Sequence, residues 1–191
     1  MDRGPNRARA DGIRIRLGAR RAPCYRSVVS RLCELNAKVD AFFGRVQSRH
    51  GSDMQCDTGC SDCCHVQLSI TGVEAAAIRD LVATWPVERR RAIAVSREPS
   101  ACAALDRDGR CTIYAARPLV CRSHGAPIRM LERSLPVVQS CFRNFARTEP
   151  DSDCVLDQAT LSALVLAVDR DAGGDGSRIE LASLIAELAT G

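Results

Sequence analysis

The sequence is poor in aromatic residues, almost free of lysine, and has no long apolar run. Phe, Trp and Tyr make up 4% of its 191 residues. A ring-rich interior is therefore excluded. The core must come from Ala, Val, Leu and Ile, within an apolar share of 46%. Lys38 is the single lysine among 27 basic residues, an arginine bias that reflects genome composition as much as function. No segment approaches the ~18 apolar residues of a membrane span. The N-terminus also has no apolar stretch of the secretory type. The expectation is a cytoplasmic protein with reduced cysteines and no membrane partner. In that setting clustered cysteines point to metal or redox chemistry.

What is abundant is sulfur. Eleven cysteines, about 6% of the chain, are too few for a small disulfide scaffold at roughly 8–10%. They are too many to be incidental, and Cys56, Cys60, Cys63 and Cys64 fall within nine residues. The net charge of +4 is concentrated at one end. Arg3, Arg7, Arg9, Arg14, Arg16, Arg20 and Arg21, against Asp2 and Asp11, give the first 21 residues a balance of +5, and the rest of the chain is at −1. A near-neutral body has no nucleic-acid signature, so such a partner is expected only through the Arg-rich tail.

Residues 1–22 have no sustained periodicity and are predicted to be a disordered tail. Residues 23–191 are read as one mainly α domain, small and irregular, with a loop-rich core ligated by cysteine. Val28, Leu32, Leu35, Val39, Phe42 and Val46 recur at helical spacing and predict a helix over 26–49. Thr71-Gly-Val-Glu74 is a capping box that starts a second helix. Pro86 fits the first turn of a third, from Val87 to about Arg97. A turn at Asp106–Gly109 predicts a hairpin between Cys102 and Tyr114, and extended pieces broken by Pro136 follow over 128–140. A C-terminal helical pair is expected over 157–190, its second member starting from a capping box at Ser177-x-x-Glu180.

Cys60 and Cys63 form a CxxC pair, whose two-residue spacing lets both sulfurs face one ion, and Gly59 helps the backbone fold back so that Cys56 can join. A thiolate set selects zinc, Cu(I) or iron–sulfur chemistry over Mg²⁺ or Ca²⁺. Cys63 and Cys64 are adjacent. In extended chain their side chains would diverge, so either the backbone turns here or Cys64 serves a second metal. Cys102, Cys111, Cys121 and Cys141 supply further thiolates. Arg117 and Arg122 flank Cys121, where they either offset sulfur charge or pair with carboxylates. Eight bare thiolates would repel strongly, which predicts that metal binding and folding are linked.

The run Cys56-x3-Cys60-x2-Cys63-Cys64, then Cys102, then Gly109-Arg-Cys111-Thr-Ile-Tyr114-x-x-Arg117-Pro118-x-x-Cys121-Arg122, resembles the YkgJ-type CxxCxxCC family. The likeness covers about residues 54–145. It implies a domain that chelates zinc or iron through eight cysteines: Cys56, Cys60, Cys63, Cys64, Cys102, Cys111, Cys121 and Cys141. Cys154 competes with Cys141 for the eighth place. The first spacing is one residue longer than the family's name implies. The flagellin lysine-N-methylases share this cysteine domain, which implies a link to an iron–sulfur cluster and S-adenosylmethionine chemistry. The function expected is therefore a metal-binding protein holding zinc or an iron–sulfur cluster. A metal-dependent protein N-methyltransferase, or a thiol redox protein using Cys60 and Cys63 or the vicinal pair Cys63-Cys64, stays open beside it, as does a protein partner.

Other features read more plainly. Cys24, Cys33 and Cys154 are expected to be non-ligands, and His65 and His124 structural or exposed. His50 is expected to meet the C-terminus of the first helix. Tyr114 is expected to be a packed aromatic. Asp169-x-Asp171-x-Gly173-Gly174-Asp175-Gly176-x3-Glu180 partly matches a calcium loop, but a Gly-rich turn between helices is the simpler reading.

Overall fold

The computed structural model describes residues 27–57, 59–93 and 100–190. The Arg-rich tail and Cys24 lie outside the described residues, as does the end of the third predicted helix.

Helix α1 (Ser27–Arg49) matches the periodicity closely. Leu32, Leu35, Val39 and Val46 are buried and Phe42 is partly so. Helix α2 (Gly72–Ala83) starts at the capping box: the Glu74 carboxylate accepts from the Thr71 amide and hydroxyl, each at 2.9 Å. Its other oxygen accepts from Leu119 N at 2.8 Å. One buried carboxylate therefore caps α2 and fixes the start of α4 (Leu119–Ser123), the short helix that carries Cys121. Helix α3 (Val87–Ile93) follows Pro86 as expected. Helix α5 (Gln158–Asp171) is capped by Asp157, which accepts from Thr160 N.

The mainly α expectation is met only in part. About 50% of the described residues are helical and 13% lie in strands, a mixed α/β character. Strand β1 (Ser69–Thr71) pairs antiparallel with β5 (Arg178–Glu180). Strands β2 (Ile128–Glu132) and β3 (Leu135–Gln139) form a hairpin, and β4 (Leu156–Asp157) joins β2 in parallel. Pro136 sits within β3 opposite Leu131. β3 is the outer strand of order β3-β2-β4, where a missing amide is tolerated.

The capping box predicted at Ser177 does not form. Residues 178–180 are strand, and α6 (Leu181–Thr190) starts after them. Pairing with β1 satisfies this backbone better than a helical turn does. The calcium-loop match resolves the same way. Asp169 is buried at the end of α5, where its carboxylate accepts from Val73 N at 2.8 Å and Gly176 N at 3.3 Å. It ties the glycine-rich turn to the start of α2.

Two larger cores result. One packs Ile70, Ile78, Val82, Ile113, Leu184 and Ile185 between α2, α6 and the loop after residue 100. The other packs Leu32, Leu35, Val39, Val73, Leu119 and Val165 between α1, α2, α4 and α5. Each fully buried Leu, Ile or Val contributes about 1.5–3 kcal/mol. A smaller third cluster joins Val46, Met54 and Cys154 with Phe42, Phe43 and Phe145.

Candidate metal centre

Nine of the described cysteines are free: Cys56, Cys60, Cys63, Cys64, Cys102, Cys111, Cys121, Cys141 and Cys154. Cys33 is not. It is disulfide-bonded, which corrects the expectation that every cysteine is reduced.

The cysteine loop folds tightly after Gly59 (φ +89°), and Asp62–Cys64 make one turn of 3₁₀ helix. The adjacent pair therefore does not diverge as it would in extended chain. The Cys63 thiol donates to the Cys64 sulfur, which raises the pKa of Cys63 and lowers that of Cys64. The loop is fastened at two points. Cys102 N donates to Cys64 O at 2.7 Å. Gly109 packs so that a Cβ there would lie 3.2 Å from Ser61 Oγ. The segment that presents Cys102 and Cys111 is closed by the Leu105–Cys111 bridge and by Asp106, whose carboxylate accepts from Asp108 N and Arg110 N.

Four separate stretches of chain thus bring thiols toward the turn at 62–64. Cys64 feels the charges of Cys102, Cys111 and Cys121. Cys56 feels those of Cys141, Cys60 and Cys63. The eight cysteines fall into two neighbourhoods, joined at the Cys63–Cys64 hydrogen bond. Burial raises Cys111 to about 11 and Cys121 to about 12, and neighbouring sulfurs push in the same direction. Cys56 and Cys102 are also raised, chiefly by burial. These groups hold their protons until a cation compensates the thiolate charge. Soft donors of this kind suit zinc or iron by their chemistry, but the set of His, Cys, Asp or Glu ligand atoms that converges to within 4.8 Å among the described residues is another, His50, Asp151 and Cys154.

The arginines beside Cys121 do something other than cover its sulfur. Arg122 donates to Asp40 at 2.6 Å and to the Arg117 and Ala115 carbonyls. Arg117 donates to Asp40 at 3.2 Å and stacks on Tyr114 at 4.1 Å. Pairing with a carboxylate, the simpler alternative, is what occurs, and it clamps residues 115–122 onto α1. Arg117 still favours a thiolate at Cys111 through its charge. Tyr114 is exposed rather than packed inside.

Sequence reasoning overlooked the residues that serve Cys56. Asn144 is buried, and its amide donates to Cys56 Sγ at 3.1 Å and to Gly125 O at 2.7 Å, while its oxygen accepts from Gln55 N at 2.8 Å. Gly125, at φ +96°, leaves room for the sulfur, since a Cβ there would lie 2.7 Å from Cys56 Sγ. Arg143 pairs with Asp62, whose carboxylate stands 4.0 Å from Cys60 Sγ. The trace in sequence is the polar pair Arg143-Asn144 close behind Cys141, a signal too common to single out.

Three residues expected to be bystanders are Cys154, His65 and His124. Cys154 is wholly buried in the third core, 3.7 Å from an Arg49 nitrogen. His65 and His124 are exposed. His124 borders a cleft of about 470 Å³ that also reaches Ser140, Cys141, Met130 and Leu161. Among the described residues no helix is long and apolar enough to cross a membrane.

No curated protein and no solved structure matches the chain. A family model does match, over residues 55–154, and its description reads "Putative zinc- or iron-chelating domain". That stretch is more than half of the chain and contains both thiol neighbourhoods, so the protein belongs to the CxxCxxCC family.

Proposed function

We infer that this protein binds zinc or iron through Cys56, Cys60, Cys63, Cys64, Cys102, Cys111, Cys121 and Cys141, in the cytoplasm. The observation that carries the reading is the mutual electrostatic influence of free thiols from four separate stretches of chain, Cys56 with Cys60, Cys63 and Cys141, and Cys64 with Cys102, Cys111 and Cys121. The division into two neighbourhoods favours two metal positions, or one cluster with ligands on both sides of the Cys63–Cys64 pair. Bound metal supplies the positive charge these sulfurs lack. Asn144, Arg143 and Asp62 orient and balance the Cys56–Cys60 side. Purification without oxygen, followed by metal and acid-labile sulfide analysis, tests this. Colourless protein with zinc supports mononuclear sites, and sulfide with brown absorbance supports an iron–sulfur cluster. Folded protein that takes up neither metal sinks the reading.

A second reading, a metal-dependent modifying enzyme such as a protein N-methyltransferase, is favoured by the 470 Å³ cleft that opens beside Cys141. Calorimetry of S-adenosylmethionine with the metal-loaded protein separates the two. Absence of heat from binding removes the methyltransferase reading and leaves the metal-binding one intact.

A further inference from the structure

A different set of metal-ligating atoms converges at the far end of α1. His50 follows the helix directly, and its amide continues the ladder to Val46 O at 2.8 Å. The imidazole, expected to meet the helix C-terminus, instead packs edge-on against Phe145 and faces the segment 151–154. There the His50, Asp151 and Cys154 ligand atoms all lie within 4.8 Å of one another. His50 Nε2 stands 3.3 Å from an Asp151 oxygen but is buried and makes no hydrogen bond among the described residues. A buried ring nitrogen without a hydrogen bond is costly, and a cation between it and the carboxylate would give it a partner.

The geometry points to a second metal site here, and we propose that His50 Nε2, Asp151 and the Cys154 thiolate bind one divalent ion of the zinc class. Nitrogen, oxygen and sulfur are the three donor types zinc accepts, and tetrahedral ligands at its bond lengths stand about 3.5 Å apart. The His50–Asp151 separation already matches that spacing, and the others need only a small contraction. Cys154 is fully buried, while Asp151 is open to water, so the ion enters from the Asp151 side.

Arg49 does not exclude the ion. Its guanidinium binds Asp153 at 2.7 Å through both carboxylate oxygens, stands 3.5 Å from the Asp151 oxygen that faces His50, and reaches Cys154 Sγ at 3.7 Å, the role of a donor that steadies the ligands from outside. Asp151, Asp153 and a Cys154 thiolate exceed the charges of Arg49 and of Arg45, which also reaches Asp153, by one, so the site keeps a net negative charge toward a cation. The site is distinct from the eight-cysteine centre, so each can fail without the other.

The test uses the full chain, purified anaerobically, stripped of metal and reloaded with Co²⁺ alone. Asp151→Asn alters an exposed side chain and leaves the packing intact, and His50→Gln removes the nitrogen donor. The expected result is that His50→Gln lacks one cobalt equivalent present in the parent and that Asp151→Asn binds it at least tenfold more weakly. Cys60→Ser lowers the remaining cobalt and its multi-thiolate absorption and leaves this equivalent in place. Parent-like stoichiometry and affinity in both Asp151→Asn and His50→Gln overturn the proposal. If those two variants lose the equivalent and Cys60→Ser changes nothing, this site stands and the cysteine-centre reading falls.

Discussion

Ile78 and Ile185 are fully buried, whereas Cys60 is exposed and the other seven cysteines of the centre are only half-buried. The helical cores gain their stability by removing apolar surface from water, which any condition that preserves packing retains. The cysteine loops have little such surface. They hang on a few fastenings: Cys102 N to Cys64 O, Gly109 on Ser61, and Asn144 on Cys56. Several of their thiols are raised in pKa by burial and by each other. One region is complete as polypeptide, and the other is arranged for a cation.

The largest expected effect separates the two regions directly. Stripping metal with a chelator should raise hydrogen exchange across residues 56–64 and 102–121 by orders of magnitude while α1, α2 and α5 stay protected, because thiolate-held metal contributes folding free energy locally. A uniform rise would mean the two regions fold as one unit. Next in size, Leu184→Ala should cost about 2–5 kcal/mol in urea unfolding by opening a cavity in the first core. Metal bound per folded molecule should not change, and a loss of metal would tie the centre to that core.

Glu74 tests the seam between the regions. Glu74→Gln removes charge from three hydrogen bonds that cap α2 and fix the start of the Cys121 helix. It should cost about 1.5–3 kcal/mol, and cysteine alkylation by mass spectrometry should show Cys121 reacting faster. An effect on stability without a change at Cys121 would confine the carboxylate's role to α2. Asn144→Ala should act in the reverse sense, costing about 1–3 kcal/mol while weakening metal binding roughly 10–100-fold. Unchanged affinity would show that the amide only packs.

The gentlest probe is pH. Cys111 and Cys121 are raised in the fold to about 11 and about 12 from 9.0, so the folded state holds their protons more tightly than the unfolded chain does. Metal-free protein should keep its stability below pH 9 and lose it progressively as pH rises from 9 toward 12. Metal-loaded protein should instead weaken as pH falls and protons compete for sulfur. A metal-free protein whose stability stays level from pH 9 to 12 would show that these thiols titrate normally.

Local spacing made much of the helical part legible. The three-and-four pattern of α1, the box at Thr71–Glu74 and the Pro86 boundary all correspond to elements, because each is decided within a turn or two of chain. The box at Ser177 had the same local warrant and lost to β1, a partner more than a hundred residues away. The cysteine pattern was equally legible as chemistry, since CxxC spacing and soft donors do not depend on the rest of the fold. Which sulfurs become neighbours does depend on it. Asp40 drew Arg117 and Arg122 away from Cys121, and Gly125 and Asn144 formed the seat of Cys56 from positions 69 and 88 residues beyond it. His50 and Cys154, unremarkable apart, met only because α1 ends against residues 151–154. Residue type and short-range spacing therefore determined the helices and the class of ligand. The grouping of donors, and the charges that balance them, were decided by long-range packing, because electrostatics acts through distance in space rather than along the chain.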